Sequence, residues 1–341
     1  MKQGIGAILV GTFLVVALLL LSGFNRAKPR ILVMHSSDRS SSTVQRLDEG
    51  IRDVLGRNRQ PMSVRWHYLG IDHLPDEDRR EDAAKIGART VEQFDPDLVI
   101  AVDDEAQQYL VGRYGGHTRP KVVFTAIDQD PGAYGYVGAS NVSGIVETLP
   151  LAAIRDTLLH ARQGQPLRLA VIGSPGPTGQ GQRRQVQAYD WAPHRVVSIE
   201  SPPDFAAWKS SIEAMQGQVD ALLVLSHEGL QASPLDARPV APAEVVRWIE
   251  ANAKPLPLGV SLSYVEMGGG LSVAPSAHVM GEAAAELALV WLKAPAAAPP
   301  PVASPSSHYS VAMRAAALRA RQVALPSIYM EAARLNRLYF P

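Results

Sequence analysis

Arg30-Ile31-Leu32-Val33-Met34-His35-Ser36-Ser37 is an unbroken apolar run closed by polar residues, and Pro96-Asp97-Leu98-Val99-Ile100-Ala101-Val102-Asp103-Asp104-Glu105-Ala106 repeats the plan. Runs without polar alternation, rich in branched residues and ending in hydroxyls or carboxylates, read as strands of a parallel sheet covered on both faces. Positions 63–68 and 121–125 supply two further strands, and amphipathic stretches at 44–56, 78–94 and 105–112 the helices between them. This is an α/β plan, one doubly wound lobe. A second series follows, with strands at 167–172, 195–199 and 221–225 and helices at 150–161, 178–188, 204–215 and 243–253. It predicts a second Rossmann-like lobe.

The segment 128–144, rich in Gly, Asp and Ser, reads as the connection between the lobes. After Pro255, a strand-like 258–261, the glycines Gly268, Gly269 and Gly270, and a helix at 279–293 read as a return to the first lobe. Positions 294–307 form a Pro/Ala/Ser linker. The expected division is therefore an N-terminal segment 1–29, a first lobe of 30–128 with 259–295, and a second lobe of 129–258 with 308–341.

Ile5 to Phe24 is an uncharged apolar run of 20 residues, long enough as a helix to span about 30 Å of hydrocarbon. It reads as a membrane anchor or a signal segment; the length and the absence of a clear small-residue cleavage site favour an anchor. Lys2 precedes the run while Arg26, Lys28 and Arg30 follow it, which by the positive-inside count would keep the body in the cytoplasm. Long domains translocate regardless of flanking charge, so the expectation is a body on the periplasmic, extracytoplasmic face.

The chain has 341 residues, with 33 basic against 33 acidic and no cysteine. A neutral balance disfavours a general nucleic-acid binder, and the missing thiols exclude disulfides, Cys-ligated metals and iron–sulfur clusters. Gly173-Ser174-Pro175-Gly176-Pro177-Thr178-Gly179 lacks the Gly-Lys-Ser/Thr ending of a phosphate loop. No nucleophile elbow, His-Glu-x-x-His helix or EF-hand loop occurs, so no cofactor and no metal are expected.

In doubly wound sheets the ligand sits at the carboxyl ends of the strands, where helix N-termini converge. The loops there carry His35, Ser36, Ser37 and Asp38, then Asp103, Asp104 and Glu105, then Thr125, Ala126 and Asp128; in the second lobe they carry Ser174, Ser226, His227 and Glu228. Hydroxyls with helix N–H groups suit a ligand carboxylate, and an aspartate suits an ammonium. Asp103 or Asp104 also suits a helix N-cap, Asp128 an Asx turn, and His35 and His227 structural roles.

These residues together resemble a family. The two quoted runs, Val122-Val123-Phe124-Thr125-Ala126-Ile127, and Ala139 through Glu147 look like the ABC-transporter substrate-binding proteins of the periplasmic-binding-protein type I fold. Gly268 to Ser276, the helix from Gly281, and Ala324-Leu325-Pro326-Ser327 resemble that family's return segment and ending. Around Met313 and Arg321-Gln322 the family's Asn and Leu-Gly are missing, as is the lipidated cysteine common among such proteins. The resemblance implies two lobes, three crossings, hinge closure and a non-enzymatic role: capture of a small amino-acid-like molecule for an ABC permease or another membrane partner. Carried over by position, the cleft would be lined by Ser36, Ser37, Asp103, Asp104, Thr125, Ala126, Asp128, Ser174, Ser226 and the segment Ser261 to Tyr264. The rival reading is a membrane-anchored hydrolase or transferase on a Rossmann-like body, which would have to use Asp103, Asp104 and His227.

Overall fold

The computed structural model describes residues 2–71, 74, 76–295, 300–306 and 308–341; the side chains of 1–10 and 25–27 lie outside the described part. Helix α1 (Lys2–Ala27) opens the chain and leaves Phe13, Leu18, Leu19, Leu20, Leu21 and Phe24 exposed. Among the described residues no helix is long and apolar enough to cross a membrane. The expected span runs in part through side chains outside the described ones.

The first lobe winds through β1 (Arg30–His35), α2 (Ser42–Arg57), β2 (Ser63–Tyr68), α3 (Glu77–Phe94), β3 (Leu98–Val102), α4 (Asp104–Tyr109), β4 (Lys121–Ile127) and β5 (Val142–Val146). These strands pair in parallel in the order β5-β4-β3-β1-β2. β1 and β3 are central, and Ile31, Leu32, Val33, Leu98, Val99 and Ile100 have no exposure at all, which is why their sequences show no alternation.

The chain then crosses to the second lobe: α5 (Leu151–Ala161), β6 (Arg168–Ile172), α6 (Pro177–Ala188), β7 (Arg195–Glu200), α7 (Phe205–Met215) and β8 (Ala221–Val224). A hairpin of β9 (Gln231–Ser233) and β10 (Asp236–Pro239), α8 (Pro242–Asn252), β11 (Leu256–Gly259), α9 (Leu262–Glu266) and β12 (Leu271–Pro275) complete this passage. α10 (Ala277–Lys293) returns to the first lobe, and β13 (Ser304–Pro305) adds to its sheet beside β5. β14 (Tyr309–Arg314), α11 (Ala315–Ala320), α12 (Ser327–Leu335) and β15 (Tyr339–Phe340) finish the second lobe. Its sheet runs β15-β14-β12-β11-β8-β6-β7, with β14 antiparallel to β12.

Two expected boundaries are corrected by this pairing. Positions 142–146 are not hinge or second lobe but strand β5, because Val142 pairs with Val122 and their side chains join the first lobe's core. Positions 259–275 stay in the second lobe, because β11 lies along β8 and β12 along β14; only α10 returns. The crossings accordingly fall at 147–150, at Ser276 and at 306–308, not at 128–144, 255–270 and 294–307. They lie side by side: Ser306 N donates to the Val146 carbonyl at 2.8 Å, the Ser306 hydroxyl accepts from Thr148 N at 2.9 Å, and Ser276 N donates to the His308 carbonyl at 3.0 Å. Part of the expected 294–307 linker lies outside the described residues.

α10 lies directly against α2. A β-carbon on Gly50 would stand 2.0 Å from the His278 carbonyl oxygen, and one on Gly281 2.2 Å from that of Leu47, so the two glycines are what let the backbones approach. This contact fixes α2, whose first turn faces the second lobe.

Candidate functional site

The strand ends of both lobes face each other across a cleft of about 120 Å³. Ser36 and Ser37 from the end of β1, Ser41 and Thr43 from the start of α2, Asp103, Ala126 and Asp128 line it from the first lobe; Thr178, Gln182, Ser226, His227, Glu228, Ser261 and Ser263 line it from the second. Glu147 lies at the crossing between them. A wider mouth of about 400 Å³ shares Ser37, Asp103, Thr178, Ser226 and Glu228 with the cleft and adds Ser174, Arg80 and Gln231.

Local backbone aims these groups. Asp103 caps α4 with its carboxylate on Asp104 N at 2.8 Å, and does so at φ +76°, a strained value for a side-chain-bearing residue. Its other oxygen accepts from the Ser36 hydroxyl at 2.9 Å. Ala126 sits at φ +54° where the β4–β5 register shifts, so the strand bulges into the cleft. Gln182 on α6 fixes its amide by accepting from Ser226 N at 2.8 Å, which turns its NH₂ toward Asp128 Oδ2 at 3.3 Å. Beneath the floor, Asp48 accepts from His35 Nε2 at 2.9 Å, Trp66 Nε1 at 3.0 Å, Tyr68 OH at 2.6 Å and Arg52 at 3.1 Å.

No family model matches this sequence, and no curated protein matches it. Solved structures do match over most of its length. An ABC domain in complex with L-Trp from Streptococcus pneumonia is 19% identical with a TM-score of 0.66, over 90% of this chain and 98% of that one. A ligand-free, open substrate binding protein with adhesive properties from Clostridium difficile is 17% identical with a TM-score of 0.60, over 88% and 96%. An ABC transporter periplasmic solute binding protein from Actinobacillus succinogenes with bound D-allose is 13% identical with a TM-score of 0.53, over 84% and 98%. The chain has the type I periplasmic-binding-protein fold.

Within this fold the cleft brings together Ser36, Ser37, Asp103, Ala126, Asp128, Ser226 and Ser261 of the expected residues, with Ser174 at the mouth. Three are placed elsewhere. Thr125 is fully buried with its hydroxyl toward the Met280 carbonyl of α10 at 3.5 Å, because alternation along β4 turns it away from the cleft. Asp104 is fully buried and staples the end of β4, accepting from Asp128 N at 3.0 Å, Gln129 N at 3.2 Å and Tyr134 OH at 2.5 Å. Tyr264 lies in the second lobe's core with its hydroxyl on Glu250 at 2.9 Å. Ser263, within the expected segment 261–264, lines the cleft too, whereas Ser41, Thr43, Glu147, Thr178 and Gln182 were not foreseen as cleft residues; Glu147 and Thr178 carried a readable signal, one following a strand and the other opening a helix after a Gly/Pro loop.

The cleft of this type I fold is acidic. Burial, then Asp103 and Asp104, push the Glu147 carboxyl up to about 8. Asp128 is raised well above the ordinary range by burial, then by Glu147, Asp104 and Asp103. Burial, then Asp103, lifts Asp104 to about 6. Burial lowers His227 to about 4, so its ring is neutral near pH 7; Nδ1–H donates to the Leu225 carbonyl at 3.3 Å and Nε2 is left as an acceptor. Away from the cleft, Asp53, His278 and Glu282 bring ligand-type atoms within 4.8 Å of one another. The Arg57 guanidinium lies 3.3 Å from Glu282 and 3.8 Å from Asp53 and already supplies positive charge there.

Proposed function

We propose that this protein captures a small amino-acid-like solute in the inter-lobe cleft and presents it to an ABC-type permease or another membrane partner, without chemical turnover. The observation that carries this reading is the division of the cleft into two kinds of wall. One side offers hydroxyls from Ser37 and, at the N-terminus of α2, Ser41 and Thr43, suited to a carboxylate. The other offers Asp128, suited to an ammonium. That the matched structures include a complex with L-Trp, one with D-allose and a substrate binding protein supports a solute-binding role by likeness of fold.

The rival enzymatic reading finds less support. Asp104 accepts from two backbone N–H groups, the Tyr134 hydroxyl and, at 3.3 Å, the Thr178 hydroxyl, while the ring N–H of His227 is held by the Leu225 carbonyl, so no hydrogen bond joins Asp104 to His227 as a relay would require. The solute-binding reading carries with it a body on the extracytoplasmic side, and the exposed apolar side chains of α1 support contact of that helix with a membrane. Native mass spectrometry of protein purified from its own cells should detect a retained small molecule. Adding that molecule should raise the melting temperature saturably, with the molecule recovered unchanged. Consumption of the molecule would decide for the enzyme. Sequencing the mature N-terminus should find residues upstream of Phe24; a start at or after it would mean a cleaved signal segment.

A further inference from the structure

Among the described residues, three buried side-chain atoms of cleft-lining residues have no partner, His35 Nδ1, Asp128 Oδ1 and His227 Nε2, and the last two carry the argument. Asp128 is 7% exposed and His227 2% exposed, and Asp128 Oδ1 and His227 Nε2 are each enclosed without a hydrogen bond. Buried polar atoms are nearly always satisfied, so an enclosed acceptor facing a cleft marks where a donor is to arrive. Both missing partners are donors, and Glu147 and Glu228 line the same cleft.

The surrounding charge points the same way. Among the described residues Asp103, Asp128, Glu147 and Glu228 line the cleft from β3, β4, the crossing and the loop after β8, and no lysine or arginine does, Arg80 standing at the wider mouth. The arginines of α6 turn outward, Arg183 to the Ser174 carbonyl at 2.7 Å and Arg184 to Gln129 Oε1 at 2.7 Å. Among the described residues the other titratable side chains lining the cleft are His35, whose Nε2 is held by ionised Asp48, and neutral His227. A neutral zwitterion brings one ammonium together with one carboxylate. It would leave the acidic wall short of positive charge and short of donors.

We propose that this wall receives a second, donor-rich cationic group, so that the solute is a basic amino acid with a side-chain ammonium or guanidinium. This rests on the solute-binding reading and narrows its substrate class. A cation entering here displaces the proton held by the Glu147 carboxyl, so binding strengthens as pH rises through the range in which Glu147 titrates.

Thermal stabilisation and calorimetry of the purified full-length chain with four probes, L-lysine, L-arginine, L-norleucine and D-ribose, test this. Lysine or arginine should bind at least about tenfold more tightly than norleucine, which has the same backbone and a side chain without charge. The preferred probe should gain up to roughly tenfold in affinity per pH unit between pH 6 and 8, the slope of one displaced proton. Glu147→Gln should erase both the preference and the slope while melting no lower than the parent without probe. Norleucine binding as tightly as lysine, or a flat pH profile, would overturn the basic class and leave an amino-acid binder standing. Binding of ribose alone would overturn both readings. If none of the four binds, the basic class falls, and the retained molecule seen by native mass spectrometry decides the broader reading on its own.

Discussion

The side-chain amide of Gln182, in the second lobe, donates to Asp128 Oδ2 of the first at 3.3 Å, while its own oxygen accepts from Ser226 N at 2.8 Å. One amide thus ties the two halves of the cleft and settles how Asp128 is presented: one oxygen held, the other unpartnered and turned inward. A carboxylate that is half satisfied across a hinge gains its missing partner only when solute is present and the lobes are together. That couples binding to closure.

Asp128→Ala should therefore weaken solute binding by about 10- to 150-fold, the worth of a charged hydrogen bond of roughly 1.5–3 kcal/mol. The fold should persist, because this variant also removes a buried, unpaired carboxyl oxygen. Calorimetry with the retained solute reads the first effect and thermal melting without it the second. Affinity unchanged within threefold would reduce Asp128 to a turn residue.

α6 approaches the first lobe where Gly181 stands: a β-carbon there would lie 2.4 Å from the backbone carbon and oxygen of Asp128. Gly181→Ala leaves helix α6 intact but forbids that approach, so it should hold the lobes apart. Small-angle scattering should give a larger radius of gyration than the parent at saturating solute. Melting of the separate lobes should move little. Equal radii would mean that α6 shifts to accommodate the methyl.

The pH dependence of stability has two limbs with opposite signs. Asp48 is buried, which works against its charge, yet its bonds from His35 and Tyr68 and the nearby Arg52 hold it below its ordinary 3.8. Its contribution is present above 3.8 and is lost as pH falls through the depressed value. Glu147, raised from 4.5 to about 8, behaves in the opposite way. Between those values the folded state holds a proton that the unfolded state has released, so stability falls as pH rises across the window. The solute-free protein should melt a few degrees lower at pH 8.5 than at pH 5, a loss of about 1–2 kcal/mol after allowance for solvent. Glu147→Gln should flatten that limb alone. A melting temperature still rising at pH 8.5 would exclude the buried acid pair as its control.

Much of this site was legible because parallel strands announce themselves. The apolar runs 31–34 and 98–102 have no polar interruption, and in a doubly wound sheet the next residues must stand at the ligand edge. Ser36, Ser37, Asp103 and Ser226 follow from that. What failed was orientation. Asp103 and Asp104 both reach the Thr178 hydroxyl, at 3.4 and 3.3 Å, but Asp104 is buried against the end of β4 and Asp103, at positive φ, lines the cleft. Ser261 is the N-cap of α9 and stands outside the helix, whereas Tyr264 lies within it and packs into the second lobe's core, so proximity in sequence did not give them a common direction. Lobe boundaries failed for a different reason. β11 and β12 pair with strands far away in sequence, and nothing in 256–275 itself records β8 or β14 as partners. Cross-lobe contributors such as Gln182 are set by the same long-range geometry.

The lobes are also joined at the cleft's rim, where the Arg46 guanidinium of α2 pairs with the Glu266 carboxylate of α9. Arg46 Nε and Glu266 Oε2 are enclosed without partners, and the two side chains keep 29% and 21% of their exposure. A pair so placed is only partly screened, and it exists only while α2 and α9 are together. Glu266→Gln keeps size and polarity but removes the charge, so it should favour the open arrangement by roughly 1 kcal/mol. Expected are about fivefold weaker solute binding, mainly through faster release, and a larger radius of gyration without solute. High salt should mimic part of this in the parent and none of it in the variant. If binding by the parent and by Glu266→Gln weakens equally with salt, the salt effect belongs to the acidic wall, and the rim pair is a static contact.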